Sequence, residues 1–222
     1  MILRINELRA RDVETRGNWA PGTPQGPLAA DFPAGARAFE VYIKPTDEHE
    51  KPMDAARRRT QLRRLLADCA DALKGEGEEL VVRLDGPLAA GEMAEALRHV
   101  GAGGGERRFA IAAARKFEVG PPAATGSMRL HVDHAQLAAL LADPSVGVDK
   151  SVRLRVFSIA GELVNPLIDA DDLDDERWPE LLAGAGLVVT TSKGMESILL
   201  VSDRYDLAAV KGRLATKLMA SR

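Results

Sequence analysis

The order of apolar and polar residues predicts a chain of alternating strands and helices. In "RAFEVYIK", Phe39, Val41 and Ile43 alternate with Glu40 and Tyr42, the period of a strand with one buried face. In "KPMDAARRRTQLRRLLADCADALKGEG" the period changes. Leu62, Leu65, Leu66, Cys69 and Leu73 recur at helical spacing, with Pro52 near the start and Gly75 beyond the end. "EELVVRLDG" reads as a buried strand, "PLAAGEMAEALRHV" as a second helix marked by Leu88, Met93, Leu97 and Val100, and "RRFAIAAARKFEV" as another strand. A short strand at "MILRIN" precedes them all.

The stretch "GPPAATGS", residues 120–127, has turn composition and marks the best internal boundary, after which the pattern restarts. "MRLHVD" is strand-like and "HAQLAALLAD" is a short helix, while "SVRLRVFSIAGELVNPLI" reads as two strands joined at Ala160 and Gly161. A helix is expected to start near Asp172, with Asp175 and Glu176 in its first turn, where the helix dipole favours acids. "LVVTTSKGMESILLVS" reads as a hairpin turning near Lys193 and Gly194, and Leu207, Val210, Leu214 and Leu218 form the stripe of a closing helix.

These runs predict an α+β or α/β fold of two consecutive sheet-plus-helix modules, over 37–120 and 127–222. The second has the element order of a ferredoxin-like split β-α-β unit with an extra strand and a carboxy-terminal helix. Both modules open with a strand and a helix, but no residue-level periodicity establishes a duplication. Ahead of them, residues 1–36 hold the first strand and a Pro/Gly-rich arm in which Pro21, Pro24, Pro27 and Pro33 break regular hydrogen bonding. Trp19 and Phe32 in this arm are expected as anchors onto the body, with partner contact as the other reading.

Composition narrows the picture. Aromatic residues make up 4% of the 222 positions, so the core must be aliphatic. The formal net charge of -3 gives nucleic acid or an anionic membrane no long-range attraction. Cys69 is the single cysteine, which excludes an internal disulfide and suits a reducing cytosol. The opening residues turn charged without the apolar run of a signal peptide, and no later run approaches a membrane span, so the expected location is cytoplasmic.

Candidate chemistry is sparse. The glycines of "GAGGGE" follow a predicted helix and precede a predicted strand, the reverse of a phosphate-cradling loop, and are expected to form a flexible connection. In "HVDHAQL", His131, Asp133 and His134 stand close enough to approach one divalent metal, with His49 or His99 completing the set. The competing reading makes Asp133 a helix cap. "DADDLDDE" fails as a calcium loop because Leu173 and Asp174 occupy positions that need a ligand and a glycine.

"AARRRTQLRR" puts Arg57, Arg58, Arg59, Arg63 and Arg64 on the polar side of the first helix, where guanidinium forks suit carboxylates and phosphates. The alternative is a solvated helix face balanced by acidic neighbours. Cys69 belongs to the apolar stripe, and none of Ser127, Ser158 and Ser192 sits in a nucleophile motif. With no catalytic set recognised, the expectation is a small cytoplasmic binding or accessory protein working through a protein partner or a second copy of itself. Its partner-binding residues would be Arg57, Arg58, Arg63, Arg64 and Trp19. A metal-assisted enzyme built on His131, Asp133 and His134 and a small-molecule-binding regulatory domain are the alternatives.

Overall fold

The computed structural model of the chain describes residues 3–8, 36–44, 52–86, 109–114, 125–143, 153–169, 184–191 and 196–220. The arm with Trp19, the expected helix over 87–100, the glycine run, the acidic stretch at Asp172, and both His49 and His99 lie outside those residues.

The described elements run β1 (Leu3–Leu8), β2 (Arg37–Ile43), α1 (Ala55–Leu73), β3 (Glu78–Gly86), β4 (Phe109–Ala114), β5 (Thr125–Val132), α2 (His134–Ala142), β6 (Arg153–Ala160), α3 (Gly161–Asp169), β7 (Ala185–Thr191), β8 (Ile198–Ser202) and α4 (Leu207–Ala220). Mixed α and β content is as the periodicities predict, with one replacement. Gly161–Asp169 is a helix where a second strand was expected. Its buried residues Val164, Leu167 and Ile168 fall at helical spacing, and Pro166 would remove a donor from any central ladder. Thr125, Gly126 and Ser127, expected in a turn, instead open β5 and pair with Ala114, Ala113 and Ala112 of β4.

The strands form one eight-stranded sheet in the order β1-β2-β8-β7-β6-β3-β5-β4. Every neighbouring pair is antiparallel. Strands from both sides of residue 121 therefore share a single sheet, and the expected division into two sheets is not what the fold expresses. A split β-α-β unit does exist in β5-α2-β6, whose strands run parallel with one strand between them. The strand in that slot is β3, from the first half of the chain, while β7 lies outside β6. Residues 127–222 thus do not close a ferredoxin-like sheet of their own.

The pattern of β3 explains its central place. Leu80, Val82 and Leu84 are buried on one face and Val81 on the other, so the strand needs cover on both sides and neighbours on both edges. The first face carries the main core, where Phe39, Val41 and Ile43 of β2 meet Leu62, Leu66 and Leu73 of α1, Leu137 and Leu141 of α2, and Val210 and Leu214 of α4. Across the sheet, Phe157 and Ile159 pack with Val81 against Val164, Leu167 and Ile168 of α3.

Helix α1 is flanked by α2 and α4. Its start is fixed by Asp54, whose carboxylate accepts a hydrogen bond from the Arg57 backbone N–H at 2.9 Å. The turn into β3 uses Gly77 at φ +73°, a left-handed conformation that side chains with a Cβ resist. Among the described residues no helix is long and apolar enough to cross a membrane.

Candidate functional site

The polar residues of α1 meet those of α2 in a cleft of about 460 Å³, lined by Thr60, Arg63, Arg64, Asp68, His134 and Ala138, with Leu141 among the apolar wall residues. The cleft follows from the two helix patterns. Leu62, Leu66 and Cys69 turn α1 onto the sheet, which leaves Arg63, Arg64 and Ala67 facing sideways toward α2. Helix α2 presents small Ala138 on the facing side, so the helices do not fill the space between them.

Specific bonds fix its walls. Arg63 Nη1 donates to the Leu141 carbonyl at 3.2 Å. His134 Nε2 lies 3.2 Å from Asp68 Oδ1. Arg64 is exposed, and no carboxylate among the described residues pairs with it. The remaining arginines of the predicted set divide by exposure: Arg57 is exposed, while Arg58 and Arg59 are half-buried.

The predicted metal set is not assembled. His131 Nε2 faces Glu79 Oε2 at 3.3 Å on the sheet face that carries α3, whereas His134 faces Asp68 on the opposite side. Asp133 caps α2: its carboxylate accepts from the Gln136 N–H at 2.8 Å, and the Gln136 side chain accepts from the Asp133 N–H at 2.9 Å. Among the described residues no three His, Cys, Asp or Glu side chains converge. Cys69 is fully buried, and desolvation, reinforced by the charge of Asp68, pushes its thiol well up, which makes it a core residue rather than a nucleophile.

A second polar cluster closes the α1–β3 turn onto the start of α4. The Glu78 carboxylate takes both Arg204 Nη1 at 2.7 Å and Nη2 at 2.9 Å, the Gly75 N–H at 3.0 Å, and the Ser158 hydroxyl. Burial works to raise the Glu78 pKa, but these donors together outweigh it and hold the carboxyl below its ordinary value. Arg204 Nε also reaches the Gly186 carbonyl at 3.2 Å, beside the β-bulge where β7 slips against β6. A Cβ at Gly186 would collide with that guanidinium, so a side chain there would displace Arg204 from the Gly186 carbonyl and from Glu78.

Sequence reasoning missed a second arginine group. Arg83 of β3 stands directly opposite Arg129 of β5 on one side and Arg155 of β6 on the other, so three guanidinium side chains form a row across the sheet. They share the α3 face with Val81 and Phe157. Arg129 is 2% exposed, and its Nη1 donates to the Leu167 carbonyl at 3.2 Å, in the last turn of α3, where the helix dipole favours a cation. In sequence, Arg83 and Arg129 each stand alone beside a core leucine, and Arg155 only follows Leu154 in "RLRVFSIA". The row emerges from pairing between segments about 45 to 70 positions apart in sequence, which no local period encodes.

Comparisons with protein-family models, with curated proteins and with solved structures found no match.

Proposed function

We propose that the protein is a binding protein whose cationic α1 surface engages an acidic patch on a protein partner. The observation that carries this reading is the exposure of Arg57 and Arg64, seven positions apart and so on one side of a helix whose apolar stripe is sealed against the sheet. Arg58 and Arg63 support that surface from half-buried positions. Guanidinium groups held on a rigid helix lose little freedom on pairing with carboxylates, which favours Arg over Lys for such contacts. A cytoplasmic setting belongs to this reading and is supported by a lone, buried cysteine.

Affinity capture of the full chain from cell extract tests the proposal when wild type is compared with the double variant Arg57→Glu, Arg64→Glu. Wild type is expected to retain one partner near equal stoichiometry, and the double variant to lose it. Sedimentation of the purified chain shows whether that partner is a second copy. Retention of no partner by wild type, or equal retention by both proteins, removes the reading.

A further inference from the structure

We infer that the α1–α2 cleft binds a small organic anion, a carboxylate or phosphate monoester carried on a short apolar body. The volume of about 460 Å³ falls in the range of small-ligand sites. Its lining is divided: Arg63 and Arg64 supply guanidinium groups at one side, and Ala67, Ala138, Leu141 and Ala142 form an apolar wall. The Leu141 carbonyl anchors Arg63 in place, so its fork is oriented before a ligand arrives. Asp68, the acidic residue of the lining, is already engaged by His134.

Each half of that lining disfavours a class of ligand. A neutral molecule would gain nothing from the Arg64 charge, and a bare inorganic ion would leave the apolar wall wet. The groove on the other side of α1, about 550 Å³ between α1 and α4, makes a useful contrast. There Lys217 is paired with Asp71 and Arg213 lies 5.0 Å from the Tyr205 ring centroid, whereas Arg64 of the α1–α2 cleft has no carboxylate partner among the described residues. The inference shares Arg64 with the protein-partner reading but does not need Arg57, so a change at Arg57 separates the two.

An NMR titration of the full chain with phenyl phosphate, benzoate, phenol and inorganic phosphate tests it. Phenyl phosphate or benzoate is expected to shift backbone amides within 60–68 and 134–142, binding at least about tenfold more tightly than phenol or inorganic phosphate. Arg64→Ala removes one of the two guanidinium groups and Ala138→Leu fills the cleft without changing charge. Each is expected to weaken binding by about tenfold, while Arg57→Glu leaves it unchanged even where it abolishes partner capture. The inference is overturned if neither organic anion moves those amides at about 10 mM, a concentration well above the millimolar affinities that one charged contact supplies. It is equally overturned if binding survives both variants intact, or if inorganic phosphate or phenol binds as tightly as the organic anions.

Discussion

The arginines of α1 and the arginines of the sheet are the same residue type placed under opposite conditions. On α1, Arg57 and Arg64 project into solvent, where a charge costs nothing to keep and remains available to a ligand or partner. On the sheet, Arg83, Arg129 and Arg155 stand side by side on three adjacent strands, an arrangement in which like charges oppose one another unless something answers them. For Arg129 part of the answer is the carbonyl end of α3. The difference teaches that a cluster of charges in one segment reads as a surface, whereas one assembled by strand register reads as part of the fold. The first is where function is best sought, and the second is where stability is exposed to mutation.

Substitutions on each side test that contrast. Arg129→Ala should be the most damaging, because it leaves the Leu167 carbonyl without its donor and opens space beneath α3. A loss of about 3 kcal/mol in urea unfolding is expected, and a loss below about 1 kcal/mol would break the comparison. The Glu78–Arg204 pair is an intermediate case, with side chains 14% and 32% exposed. Glu78→Gln should cost about 1.5 kcal/mol at neutral pH, kept below fully buried values by solvent screening.

The pH dependence of that pair has a defined sign. The folded Glu78 carboxyl titrates below its ordinary value of 4.5, so the unfolded chain binds the proton more readily. Its stabilising contribution is fully present above pH 4.5 and is lost as the pH falls through the folded value. The gap between wild type and Glu78→Gln should therefore narrow in acid, as followed by unfolding at a series of pH values.

Smaller effects sharpen the functional side. Asp133→Ala removes the capping box that starts the helix carrying one cleft wall, and should lower stability by about 1 kcal/mol, seen as a reduced melting temperature. Arg57→Ala should stay within about 0.5 kcal/mol of wild type in the same assay, as expected for a solvated position.

Local periods account for much of what the chain revealed before folding. The stripe from Leu62 to Leu73, the alternation of Phe39, Val41 and Ile43, and the stripe of Val210 and Leu214 are each settled within a single element, and all are buried as expected. The capping box of Asp133 is likewise a relation over three residues. Gly161–Asp169 misled because a short helix offers few turns from which to read a period, and its valine and isoleucine resemble strand residues. The cleft was hidden for another reason. Arg63 meets Leu141 across 78 positions and His134 meets Asp68 across 66, so the arginines could be placed on a surface but not beside a cavity.

The position of β3 has a consequence for the newly made polypeptide. As synthesis proceeds this strand emerges ahead of both sequences that will border it, and each of its edges stays without a hydrogen-bonding neighbour until β5 and then β6 have left the ribosome. Cutting the gene near the codon for Pro121 would make that waiting period permanent, so the leading fragment alone should be insoluble, and its rescue by co-production of the trailing fragment would report directly on the missing neighbours.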